Sequence, residues 1–180
     1  MSLIDDIKTD LIANKKFSNA NKVLIFISNR GFHAVLFYRL SNLFFKCNIP
    51  LIPMVLTRII QVFYSIDIDY KASIMGGLVI VHGVGLVIGY DTTIKENVIL
   101  FHGVTLGRRG IGAVISETDG FPVLHENCII CAGAKIIGKI NIGANSIIGA
   151  NCVITKSVSE NQVVKINELS MVINPRKIIS

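Results

Sequence analysis

Leu124, Ile130, Ile136, Ile142, Ile148 and Ile154 recur at a strict interval of six. An amphipathic helix would space such residues at three and four, and a half-buried strand at two. A fixed short period of this kind marks a parallel β-helix. Each hexad supplies one short strand and one tight corner, three hexads close a triangular coil, and the coils stack. The aliphatic residue points into the prism. Glycine or asparagine takes the corners, where the backbone needs positive φ; Gly143 and Gly149 follow two of the six. The period extends upstream through Ile68, Ile74, Ile80 and Leu86, slips by two, and resumes at Ile88, Ile94, Leu100 and Leu106. Between Leu106 and Leu124 it breaks. Residues 107–123 therefore read as a loop thrown out from one corner, often on the binding face of a solenoid. A β-sandwich with coincidental spacing is the weaker alternative.

This divides the 180 residues into an α-helical region over 1–64, a β-helix over 65–160 and a capping tail over 161–180. Residues 1–16 read as a polar helix with an apolar edge of Leu3, Ile4, Ile7, Leu11 and Ile12, and Asp5 and Asp6 near its start suit the helix dipole. Lys22–Ser28 is an apolar run. Residues 33–46 carry Val35, Leu36, Leu40, Leu43 and Phe44 at helical spacing. Residues 54–64 form a second short helix. The stretch 49–64, broken by Pro50, Pro53 and Arg58, is too short to span a bilayer. Peripheral membrane contact stays open, though packing on the first coil or on a sister subunit is the stronger expectation. A tail after the last coil would cover its open apolar end.

The net charge of +6 is scattered, without a long basic run or interleaved aromatics. Nucleic acid is thus a poor partner, whereas an anionic cofactor or a membrane surface suits the charge. Cys128 and Cys131 form a CxxC, but no second pair or histidine cluster stands at zinc spacing. In a hexad both are small apolar residues, so no metal is expected. Unpaired cysteines fit a reducing cytoplasm, and the opening MSLIDDIKTD has no secretory pattern.

Of four histidines, His33 lies among apolar helical residues and His125 sits at a corner beside Glu126. His82 and His102 are twenty apart, one coil plus the slip, so stacking brings them together on one edge. Asp67, fifteen residues before His82, is expected one coil below and near it. A carboxylate against one imidazole nitrogen fixes the tautomer and raises basicity at the other, as a general base acting on a hydroxyl requires. Two unrelated surface imidazoles are the plainer reading of the spacing alone.

The blocks YRLSNLFFK, DIDYKASIMGGLVIVHGVGLVIG, GVTLG, CAGAKIIGKINIGANSIIGANCVI and INPRK settle that choice. Across residues 38–177 the chain resembles the serine acetyltransferase branch of the left-handed β-helix (hexapeptide-repeat) acyltransferases, and on the departures below it sits nearest to short O-acetyltransferases of polysaccharide clusters. The resemblance implies a mainly β, left-handed parallel β-helix with a short helical N-terminal region, assembled as a homotrimer with clefts between subunits. It implies acetyl-CoA as acyl donor, His82 as base, Asp67 as its orienting partner, and His102 beside the substrate or thioester. Gly107, Ala132 and Ala150 would lie along the pantetheine arm, and Arg108, Arg109 or Lys135 would meet the CoA phosphates.

The acceptor side departs from the serine enzymes. Val81 stands where they have an aspartate before the histidine, and Asp119-Gly120-Phe121-Pro122 stands for their Asp-Arg-His-Pro block. A zwitterionic amino acid would lack its usual charged grips, and unpaired charge in a closed site is costly. The favoured acceptor is therefore a surface-polysaccharide sugar hydroxyl, contacted by His102, Asp119 and Phe121, the last stacking on the sugar. The alternatives are L-serine, or a non-catalytic or metal-binding β-helix module.

Overall fold

The computed structural model describes residues 2–109 and 119–166. The repeat folds as expected. Among the described residues, fourteen short strands follow four helices: β1 Asp67–Ile68, β2 Ser73–Ile74, β3 Val79–Val81, β4 Val87–Ile88, β5 Thr93–Ile94, β6 Ile99–Phe101, β7 Thr105–Gly107, β8 Val123–Leu124, β9 Ile129–Ile130, β10 Lys135–Ile137, β11 Asn141–Ile142, β12 Ile147–Ile148, β13 Val153–Ile154 and β14 Val163–Val164. They stack into three parallel sheets, β1-β4-β7-β10-β13, β2-β5-β8-β11 and β3-β6-β9-β12-β14. Three consecutive strands therefore make one turn of the prism, and the three sheets are its faces.

Register explains both irregularities of the sequence. Later partners are eighteen residues apart, as Ile136 with Ile154. First-turn partners are twenty apart, as Ile68 with Ile88; the extra pair of residues falls in the corner between β3 and β4. Between β5 and β8 partners are thirty apart, as Ile94 with Leu124, because the loop after β7 adds twelve. The expected loop core, residues 110–118, lies outside the described residues. Extra chain is thus confined to corners, so the inward column stays in register. Ile68, Ile88, Leu106, Ile136 and Ile154 are buried on the first face, and Leu100, Ile130 and Ile148 on the third. Asn97, Asn127, Asn145 and Asn161 take positive φ at a shared edge, and the amide of Asn127 donates to Asn145, which donates to Asn161, at 3.1 and 3.3 Å. Asparagine tolerates the left-handed conformation that a β-branched residue resists.

The prism runs past the expected boundary at 160. Val163 and Val164 pair with Ile147 and Ile148, so the fifth turn that β13 opens on the first face reaches the third face where a cap was expected; the rest of the expected cap, 167–180, lies outside the described residues.

Four helices precede the prism: α1 Leu3–Ser18, α2 Lys22–Ser28, α3 Arg30–Lys46 and α4 Ile52–Tyr64. α1 opens with a capping box between Ser2 and Asp5. The apolar run 22–28 is a helix capped by Asn21, and it buries only Ile25. The region is held to the first turn by buried polar groups. Arg39 donates from Nε and Nη2 to the two Asp10 carboxylate oxygens, both at 3.1 Å, and to the carbonyls of Ile74 and Met75. Asp10 Oδ1 accepts the amides of Gly77 and Leu78 at 2.8 and 3.0 Å. Asp10 is 1% and Arg39 4% exposed, so every lone pair must be met within the protein. Burial pushes the Asp10 carboxyl above its ordinary range, against the lowering pull of Arg39 and the two amides. The Tyr38 hydroxyl donates to Ala72 O at 2.6 Å, and burial raises its pKa to about 12.

Gly31 lets α3 lie against β3. A Cβ there would fall 2.1 Å from the Ile80 carbonyl oxygen, a backbone atom that cannot swing away. Gly31→Ala is expected to destabilise the protein by about 1–3 kcal/mol, the usual cost of overpacking, measured as a lowered midpoint in urea. Among the described residues no helix is long and apolar enough to cross a membrane.

Candidate active site

The corner between β3 and β4 is where the first turn carries its two extra residues. It reads His82-Gly83-Val84-Gly85, with φ of +63° at His82, +72° at Gly83 and +74° at Gly85. Gly83 N–H returns to Val81 O at 2.8 Å and Leu86 N–H to Gly83 O at 2.9 Å, closing a tight knuckle. Among the described residues after Ser65, His82 is the one positive-φ residue that is neither glycine nor asparagine. A left-handed histidine costs about 1 kcal/mol or more, and such outliers persist where surrounding structure imposes them. This signal was not legible in the sequence, although the flanking glycines marked the turn.

His102 follows β6 at the same edge one turn on. The ladder Val81 with Phe101 leads into both corners, and the rings meet edge to face with centroids 6.0 Å apart. Both histidines are exposed. The edge then continues through small residues. Gly103 N–H donates to Val84 O, Gly133 N–H to His102 O and Asn151 N–H to Ala132 O, each at 2.9 Å. In that register Ala132 follows His102 and Ala150 follows Ala132. The sequence reading assigned these four residues to two tasks, and the fold strings them along one edge: two imidazoles, then two alanines.

Asp67 sits differently from the expectation. It belongs to the same turn as His82, not the one below, because β1 and β3 are the first and third strands of one coil. Gly85 N–H bonds to Ser65 O at 2.8 Å, so the His82 corner closes directly over the start of β1. Asp67 is half-buried, and it has neither a hydrogen bond nor an ion pair with His82. The two stand at one edge with no bond between them.

Lys135, expected at the CoA phosphates, is committed elsewhere: its ammonium donates to Gly103 O and to Thr105 Oγ1. It lies on the face beside Gly107, which pairs with Ile137. Arg108 and Arg109 are exposed beyond that face, and Arg109 bridges to Gly120 where the loop returns. Phe121 is not a free sugar platform. Its ring lies over Gly89, where a Cβ would come within 2.1 Å of it, and meets Tyr90 edge to face at 4.6 Å. Asp119 and Phe121 thus stand at the corner between β4 and β5, a different edge of the prism from His82. One chain does not bring them together with the histidines.

A cleft of about 250 Å³ opens beside His82. β3 forms one wall, and the ends of α1 and α2 and the start of α3 form the other, with Ser18, Asn29 and Arg30 among its lining residues. Arg30 is exposed and has no ion pair among the described residues. This cation went unnoticed in the sequence because nothing there joins residue 30 to residue 82.

His33 Nε2 faces Phe26 O at 2.7 Å, so it carries the proton, and Nδ1 lies 3.1 Å from the Tyr64 hydroxyl. Burial raises the Cys128 and Cys131 thiols, which opposes thiolate formation. Among the described residues no group of three His, Cys, Asp or Glu could hold a metal ion.

The bacterial transferase hexapeptide (six repeats) family model matches residues 121–156. A serine acetyltransferase of Helicobacter pylori is 37% identical over 134 residues, covering 74% of this chain and 76% of that protein. One from Buchnera aphidicola is 32% identical over 178 residues, 99% of this chain and 61% of its own length. A serine acetyltransferase of Brucella abortus, solved in complex with coenzyme A, superposes with a TM-score of 0.82 at 30% identity, covering 89% of this chain and 63% of that one. The chain therefore spans about three-fifths of the length of the last two.

Proposed function

The chain belongs to the serine acetyltransferase family of hexapeptide-repeat proteins, and on that premise we propose that it transfers the acetyl group of acetyl-CoA to a hydroxyl oxygen of a small acceptor. The observation that carries the reading is the edge on which a strained, exposed His82 meets His102 and is followed by Ala132 and Ala150. His82 takes the proton of the acceptor hydroxyl as its oxygen attacks the thioester carbonyl. The tetrahedral intermediate collapses with cleavage of the C–S bond. The proton passes to the leaving sulfur, so the products are an O-acetyl ester and free CoA thiol. The small side chains of Ala132 and Ala150 leave room for the pantetheine arm, and Gly107 lies on the adjoining face. Arg108 and Arg109 remain candidates for the phosphates, whereas Lys135 is spent on Gly103 and Thr105. Asp67 orients His82 only through a water or after a small movement.

L-serine is the acceptor that the family membership favours. Arg30, on the cleft beside His82, offers the positive charge an amino-acid carboxylate needs and that Gly120 and Phe121 do not provide. A sugar hydroxyl is the second reading, favoured by Val81 and by that same Gly120-Phe121 pair. Catalysis by a homotrimer is part of the proposal: a neighbouring prism would present its Asp119–Phe121 corner to the His82 edge of the first. The free cysteines support a cytoplasmic setting.

Thiol release from acetyl-CoA, followed with a chromogenic disulfide, tests the reading. Rapid release with millimolar L-serine and none with neutral sugars is the expected result. Release with sugars alone moves the acceptor to the second reading, and release with neither, in protein that binds CoA, defeats the transferase proposal.

A further inference from the structure

α2 and α4 turn apolar faces to solvent. On α2, Leu24, Phe26 and Ile27 are 55%, 57% and 69% exposed; on α4, Val55, Val62 and Phe63 are 53%, 76% and 74% exposed. These are not scattered single residues of the kind every surface carries. His33 of α3 bonds to Phe26 O on α2 and to the Tyr64 hydroxyl on α4, which gathers the C-terminal ends of both helices at one place. The other side of α4 already buries Pro53 and Ile60, so the outward apolar residues are surplus to its packing on the protein.

Charge says what covers this face. From Leu11 to Ile66 there is no acidic residue. Over the same span Lys15, Lys16, Lys22, Arg30, Lys46 and Arg58 are all exposed, and the remaining cation, Arg39, is neutralised by Asp10. A second copy laid face to face against it would oppose cations to cations, with no carboxylate on α2, α3 or α4 to answer them. An anionic lipid surface answers both features, because apolar side chains enter the acyl boundary while lysine and arginine meet the headgroups. We propose that the helical region docks the protein peripherally on anionic membranes through the outer faces of α2 and α4, with Lys22 and Arg58 at the headgroups. The inference is independent of the acetyl acceptor.

Flotation of the full chain with phosphatidylcholine vesicles, with and without about one-third phosphatidylglycerol, tests it, alongside light scattering for mass in solution. The wild-type protein is expected to float with the anionic vesicles only, and to be released by high salt. Ile27→Ser with Phe63→Ser, both outward-facing, is expected to reduce partition at least tenfold while far-ultraviolet dichroism is unchanged. Lys22→Glu with Arg58→Glu is expected to do the same, since each basic residue near the surface contributes severalfold in affinity. Failure of the wild type to float, or equal flotation of the serine variant, overturns the proposal. So does a wild-type mass that falls by half in the serine variant without any vesicle binding, which would assign the face to a second copy.

Discussion

His82→Asn is expected to lower kcat for acetyl transfer by about two to four orders of magnitude, the usual contribution of a positioned general base, while leaving the protein as stable as before or slightly more so. Both halves of that expectation come from one corner. Asparagine cannot take up the proton, but it tolerates φ of +63° better than histidine does, as the asparagine corners elsewhere in the prism show. The ring is exposed, so its loss opens no cavity. Steady-state kinetics with saturating acetyl-CoA and a thermal melt on the same sample check the two halves. A kcat within about tenfold of wild type would remove His82 from the chemistry. The Asp67→Asn variant is expected to lose much less, because its carboxylate makes no bond to the ring.

The largest effect on stability is expected at Asp10. Asp10→Ala leaves the Arg39 guanidinium buried without its carboxylate and orphans the amides of Gly77 and Leu78. Breaking a buried pair from one side costs about 3–5 kcal/mol. The loss should be local before it is global: amides of α1 lose hydrogen-exchange protection while those of the distant turns keep theirs. Replacing both partners, Asp10→Ala with Arg39→Met, should recover part of the loss, since the uncompensated charge is then gone. A single-variant cost below about 1 kcal/mol would mean that the clamp does not hold the helices to the prism.

These two residues mark where the sequence is transparent and where it is not. Ile130 or Ile148 betrays its place because a three-sided coil imposes an unusual period on the inward residues, and no other common architecture repeats at six. The asparagines and glycines betray the corners for an equally local reason. Asp10 and Arg39 betray nothing: on a helix they look like surface charges, and only the docking of α1 and α3 on the first turn makes them partners. The outward faces of α2 and α4 were hidden for the converse reason, since an apolar run reads as core until its packing is known. At the site, the His82–His102 pairing follows from counting residues around the coil. The position of Asp67 does not, because counting backwards placed it one turn too low. The bonds of Lys135 to Gly103 and Thr105 and the contact of Phe121 with Tyr90 were not legible, because they depend on which face and which edge the residues share.

Because every turn adds one strand spacing, about 4.8 Å, the edge from His82 through His102 and Ala132 to Ala150 is a ruler roughly 14 Å long with a mark at each turn. In the donor placement proposed above, the reactive end reaches the lowest mark only if the donor's length matches the number of turns between them. Splicing an extra coil between β9 and β10 would lengthen that span by one mark without altering a single side chain at either end, so the permitted reach of the donor is written in the repeat count rather than in any residue.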